Sequence, residues 1–157
     1  MKLFTILYIV FNVLQGTSQE TQLKWTVLPI ENAEEVFNQC SREAPKFRKV
    51  ISLDSSVYVH AINQLKAQSE KLYEKVKVRI DDYTLQLVAY KHKRKEYIYI
   101  NANNKDPFLD QKMKWKEQAI IWCDGNKSSC GLVYDVQQNC FIDFVTNGPV
   151  VSRFEKL

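Results

Sequence analysis

Residues 54–76 read D-S-S-V-Y-V-H-A-I-N-Q-L-K-A-Q-S-E-K-L-Y-E-K-V, and the spacing of apolar side chains in this stretch decides the fold class. Tyr58, Ala61, Ile62, Leu65, Leu72, Tyr73 and Val76 recur at three- and four-residue steps, the period of one helix face. Asn63, Lys66, Glu70, Lys71 and Glu74 occupy the other face, and Asp54, Ser55 or Ser56 supplies an N-cap oxygen. The pattern predicts one long amphipathic helix of about five turns whose apolar stripe needs a partner surface.

Downstream of Asp81-Asp82 the periodicity changes. Tyr83 to Tyr90 and Glu96 to Ile100 are rich in Tyr, Ile, Leu, Val and Thr, and the polar run Lys91-His92-Lys93-Arg94-Lys95 separates them. Two β-prone runs about a short polar connection read as a hairpin. Residues 101–114 read as a polar loop. Three further strands are expected at about Lys116–Cys123, Cys130–Asp135 and Cys140–Val145, with turns at Asp124-Gly125-Asn126 and Gln137-Gln138-Asn139. Upstream, residues 19–30 form a lead-in. Asn32 and Glu35 have capping-box spacing for a short helix from Ala33 to about Ser41, which Pro45 prevents from continuing. The expected fold is α+β: a long helix wrapped by a mainly antiparallel sheet of about five strands, with a short N-terminal helix and two disulfides.

The chain has 157 residues, room for one domain. Lys2, the apolar run Leu3 to Leu14 and the small residues Gly16-Thr17-Ser18 have the plan of a secretory signal peptide over residues 1–18. The run is shorter than the roughly 20 apolar residues of a membrane span, and no second one follows. Residues 19–157 then form a single domain. Loss of Lys2 takes the 22 basic residues to 21 against 18 acidic ones, a net +3. That charge gives no global case for nucleic-acid binding. Electrostatic function must come from a local patch.

Export places the four cysteines in an oxidising compartment, where they are expected to pair. If residues 124–129 are a turn, Cys123 and Cys130 lie opposite each other, with Cβ atoms about 4.5–5.5 Å apart. Cys140 would oppose Asp135, leaving it about 16 Å along the strand from Cys130. Of the three connectivities, Cys40–Cys140 with Cys123–Cys130 therefore ranks first.

The cysteines have no C-x-x-C spacing, and His60 and His92 lack the separation of a zinc site. The two histidines share no acid–base motif, so neither an enzyme nor a cofactor is indicated. Lys91, His92, Lys93, Arg94 and Lys95 form the sharpest charge feature, suited to sulfated glycan or another anionic surface. Asn126-Lys127-Ser128 is an N-glycosylation sequon.

A long helix followed by Gln86-Leu87-Val88-Ala89-Tyr90 and a hairpin resembles the cystatin superfamily, in which a helix is wrapped by an antiparallel sheet and inhibitory members carry Q-x-V-x-G. Gln86 and Val88 match that motif and Tyr90 takes the place of its glycine. The resemblance implies a protein-binding role for Gln86, Val88 and Tyr90, with a cysteine protease as partner. Inhibitory members also use an N-terminal glycine and a Pro-Trp hairpin; residues 19–40 hold no glycine, and no Pro-Trp occurs in the chain. The chain thus reads as a secreted, non-enzymatic binding protein whose partner is an extracellular protein or an anionic glycan.

Overall fold

A computed structural model describes residues 23–105, 114–123 and 126–148. The signal peptide expected over residues 1–18 lies outside the described residues. Helix α1 (Ile30–Ala33) runs into a 3-10 turn (Glu34–Phe37); α2 spans Ser55–Ala67 and α3 Ser69–Val76. The strands are β1 (Lys24–Val27), β2 (Lys49–Ile51), β3 (Tyr83–His92), β4 (Lys95–Asn104), β5 (Ser129–Asp135) and β6 (Cys140–Thr146). They form one six-stranded sheet in which β1 lies parallel to β3 and every other pairing is antiparallel.

The single long helix is overturned. Asp54 caps α2 as expected, its Oδ1 accepting from the Ser56 amide at 2.8 Å and hydroxyl at 2.6 Å. The helix then stops at Gln68, whose backbone leaves helical geometry (φ −103°, ψ 5°). Between Leu65 and Leu72 the buried stripe has no member, so no apolar contact holds that turn in line. The left-handed residue Lys77 (φ 58°) ends α3, donating its N–H to the Tyr73 carbonyl.

The sheet is not wrapped around a helix; it is covered on both faces. Odd-numbered residues of β3 (Tyr83, Leu85, Leu87, Ala89) join Tyr58, Leu65, Leu72 and Val76 of the helices in the main core. Even-numbered Val88 and Tyr90 meet Leu28, Ala33, Val36, Phe37 and Ala119 in a second core. The burial of both faces explains why β3 reads as a nearly continuous apolar run.

Two local expectations also change. Residues 116–123 are a turn and irregular chain, not a strand. Carbonyls of this segment and of Trp115 before it serve another purpose: Gln86 Nε2 donates to Trp115 O at 2.6 Å and Gln118 O at 2.7 Å, and Asn101 Nδ2 donates to Ile120 O at 2.9 Å. The lead-in over residues 19–30 supplies β1, and the stretch between Pro45 and Asp54, for which the sequence predicts no element, supplies β2; both pair to the outer edge of β3.

The expected disulfides are corrected as well. Cys40 bonds Cys123 with Cα atoms 5.2 Å apart, so neither Cys40–Cys140 nor Cys123–Cys130 exists; Cys130 and Cys140 are free thiols. The pairing Cys123–Cys130 required a strand across residues 116–123. Without it, Cys123 is carried to the irregular segment that holds Cys40. The register of β5 and β6 does put Cys140 opposite Asp135.

Candidate polyanion-binding cleft

Strands β3 and β4 are in register to the end, with His92 opposite Lys95, so the hairpin turn is only the two residues Lys93-Arg94. Both have positive φ, 46° and 66°. That is the dihedral sign of a type I′ turn, a position that Asn and Gly fill most easily. A Cβ in this region costs about 1–2 kcal/mol per residue, and here it presents two cations at the tip.

Beside the turn lies β2. Lys49 opposes Lys91 across the strands, and the Arg48 N–H donates to the Lys91 carbonyl at 2.8 Å. Together these elements enclose an open cleft of about 400 Å³ lined by Arg48, Lys49, Lys91, His92, Lys93 and Arg94. Every lining residue is cationic or histidine. Arg48, Lys49, Lys93 and Arg94 are exposed. Lys91 Nζ lies 2.9 Å from Glu96 Oε1, so Lys91 is the one lining cation with an ion pair among the described residues.

Lys95, the last of the expected basic run, sends its ammonium 3.7 Å from Asp135 Oδ2 and does not line the cleft. Arg48 and Lys49 were missed by the sequence reading. Their signal was the cationic cluster Lys46, Arg48 and Lys49, which has no meaning until β2 is paired to β3.

Gln86, Val88 and Tyr90 do share one face of β3, but that face is covered. They are 0%, 1% and 2% exposed. Gln86 is fully engaged: its Oε1 accepts from Ile120 N at 2.8 Å and Asn101 Nδ2 at 2.9 Å, and its Nε2 donates to the two carbonyls named above. Tyr90 packs edge-on to Phe37 and stacks with Tyr97. None of the three presents its side chain to a partner in this arrangement.

The same covered face holds a buried cation. Arg42 is 7% exposed. Its guanidinium donates to Tyr99 Oη at 2.9 Å, Ser129 Oγ at 2.6 Å, Asn147 Oδ1 at 2.5 Å and Asn101 Oδ1. Among the described residues no carboxylate lies within ion-pair distance of it. The neutral acceptors satisfy the fork geometry without a counter-charge. Arg42 thus fastens the segment between Cys40 and β2 to the sheet. The disulfide fastens it to residues 114–123.

His60 and His92 remain on separate elements, the first 2.5 Å from Asn139 Oδ1 through Nε2. Asn126 opens a 3-10 turn, Asn126–Ser128. No helix among the described residues is long and apolar enough to cross a membrane. The disulfide is consistent with an extracellular location.

Fold and cleft define an α+β domain with a mixed, doubly covered sheet and a basic cleft at one hairpin end. No family model, curated protein or solved structure matches the chain.

Proposed function

We propose that the chain is a secreted, non-enzymatic binding protein that engages polyanions through the hairpin turn and the adjoining end of β2. The observation that supports this reading most is the composition of the cleft, where Arg48, Lys49, Lys91, His92, Lys93 and Arg94 converge with no apolar residue between them. Two further features point the same way. Lys49 sits opposite Lys91 across the strands, and because only Lys91 of the two has an ion pair among the described residues, to Glu96, the pair presents net positive charge to the cleft. The turn carries its cations at positive φ, and backbone strain of this kind concentrates at binding sites.

The other expected activity, inhibition of a cysteine protease by Gln86, Val88 and Tyr90, draws no support from their burial. Retention on immobilised heparin, followed by elution with salt, tests the proposal. Retention should fall steeply as salt rises and vanish when Lys93 and Arg94 are both changed to Ser. Passage through the column at low salt refutes it.

A further inference from the structure

We infer that the ligand of the cleft is a linear sulfated glycan gripped between two cationic walls, Arg48-Lys49 of β2 and Lys93-Arg94 of the hairpin turn. This rests on the polyanion reading and goes beyond it in two respects: it assigns the second wall and it selects one class of polyanion.

The walls come from segments more than forty residues apart, brought side by side by the pairing of Lys49 with Lys91. Each wall holds one arginine and one lysine. An arginine fork takes a sulfate or carboxylate through two parallel hydrogen bonds, while a lysine acts as a point charge. A repeating anionic chain offers an acidic group to each wall at once.

The lining selects the class. Binding of single-stranded nucleic acid relies on aromatic faces that stack on bases. Attachment to a lipid surface relies on apolar side chains that enter the interface. The cleft offers neither. The tyrosines adjacent in sequence are committed elsewhere: Tyr90 and Tyr99 are each 2% exposed, and Tyr97 stacks on Tyr90 with centroids 5.3 Å apart. Concave and lined only by lysine, arginine and one histidine, the groove matches a hydrophilic polyanion that needs no stacking partner.

The wall at residues 48–49 is also held in place before any ligand arrives. Phe47 stacks on Phe37 at 4.3 Å, and Val50 pairs with Tyr90 through β2. Preorganisation of this kind lowers the ordering cost of binding.

The test compares the full chain with two double variants, Arg48→Ser/Lys49→Ser and Lys93→Ser/Arg94→Ser. Three probes are titrated at one salt concentration: a heparin hexasaccharide, a single-stranded oligonucleotide of similar charge, and phosphatidylserine vesicles. All substituted residues are exposed, so a thermal melt confirms that each variant is folded. The inference predicts that each double variant weakens hexasaccharide binding by about tenfold or more, the equivalent of about 1.4 kcal/mol. It also predicts that the oligonucleotide and the vesicles bind the unaltered chain more weakly than the hexasaccharide. If only the Lys93/Arg94 variant loses affinity, the second wall is wrong and the polyanion reading stands. Equal or tighter binding of oligonucleotide or vesicles overturns the choice of glycan. If none of the three probes binds, both fall together.

Discussion

Arg42 Nε donates to the Tyr99 hydroxyl at 2.9 Å in the covered face of the sheet. Burial outweighs the neighbouring guanidinium charge and pushes the Tyr99 phenol above its ordinary value, so the oxygen is neutral when it accepts. Gly131 makes this contact possible, because a Cβ there would lie 2.6 Å from the Tyr99 hydroxyl. Replacing Arg42 with Ala leaves Asn101, Ser129 and Asn147 short of a donor. Arg42→Ala should therefore cost about 3–5 kcal/mol in a urea titration, with Gly131→Ala destabilising in the same direction by displacing the ring.

Gln86 makes the complementary case. Four polar atoms from Asn101, Trp115, Gln118 and Ile120 depend on it. Gln86→Ala should lower stability by about 2–4 kcal/mol and leave heparin affinity unchanged in the folded protein. Affinity lost in a variant that a melt shows to be folded would give Gln86 a contact role instead.

The thiols should separate by exposure. Alkylation of the native, unreduced protein should modify Cys140, which is half-buried, and spare Cys130, which is fully buried. Burial pushes the Cys130 thiol up to about 12 from an ordinary 9.0, partly offset by Arg42. Because the folded value lies above the unfolded one, the stability this neutral thiol contributes is intact below about pH 9 and is lost as pH rises towards 12. Denaturation without reductant should add one alkylated site and reduction two more. The Cys40–Cys123 loop spans 83 residues, so reduction should cost about 4–5 kcal/mol in the loop-entropy model.

Stability and affinity should move in opposite directions at the turn. Replacing Lys93-Arg94 with Asn-Gly supplies the residues that a type I′ turn prefers and should raise stability by about 1–2 kcal/mol. The same change removes one wall of the cleft and should abolish retention on heparin. A thermal melt and a heparin column on one preparation check both signs.

Much of the framework was legible because it follows local rules. Asp54 capped a helix as read, the apolar stripe was real, and the runs about residues 83–100 made a hairpin. The break at Gln68 was not legible, since Leu65 and Leu72 stand seven residues apart and the six between them keep the helical spacing. Strands β1 and β2 were hidden because four and three residues carry too little periodicity. The same gap concealed Arg48 and Lys49, whose role depends on pairing with a strand some forty residues away. Gln86, Val88 and Tyr90 were singled out by a motif resemblance, and strand alternation puts them on one face of β3. That the face is covered depends on Arg42, Phe37 and the carbonyls of residues 115–120, none of which local patterning connects to β3.

The central claim is that the cleft binds polyanions by charge. The most direct measurement is the dissociation constant for a heparin oligosaccharide as a function of salt, obtained calorimetrically on the full chain. With four or five cations engaged, affinity should fall linearly on logarithmic axes, by about 10²-fold between about 50 and 200 mM salt. Affinity that stays constant across that range, or no binding at the lowest salt, would contradict the account.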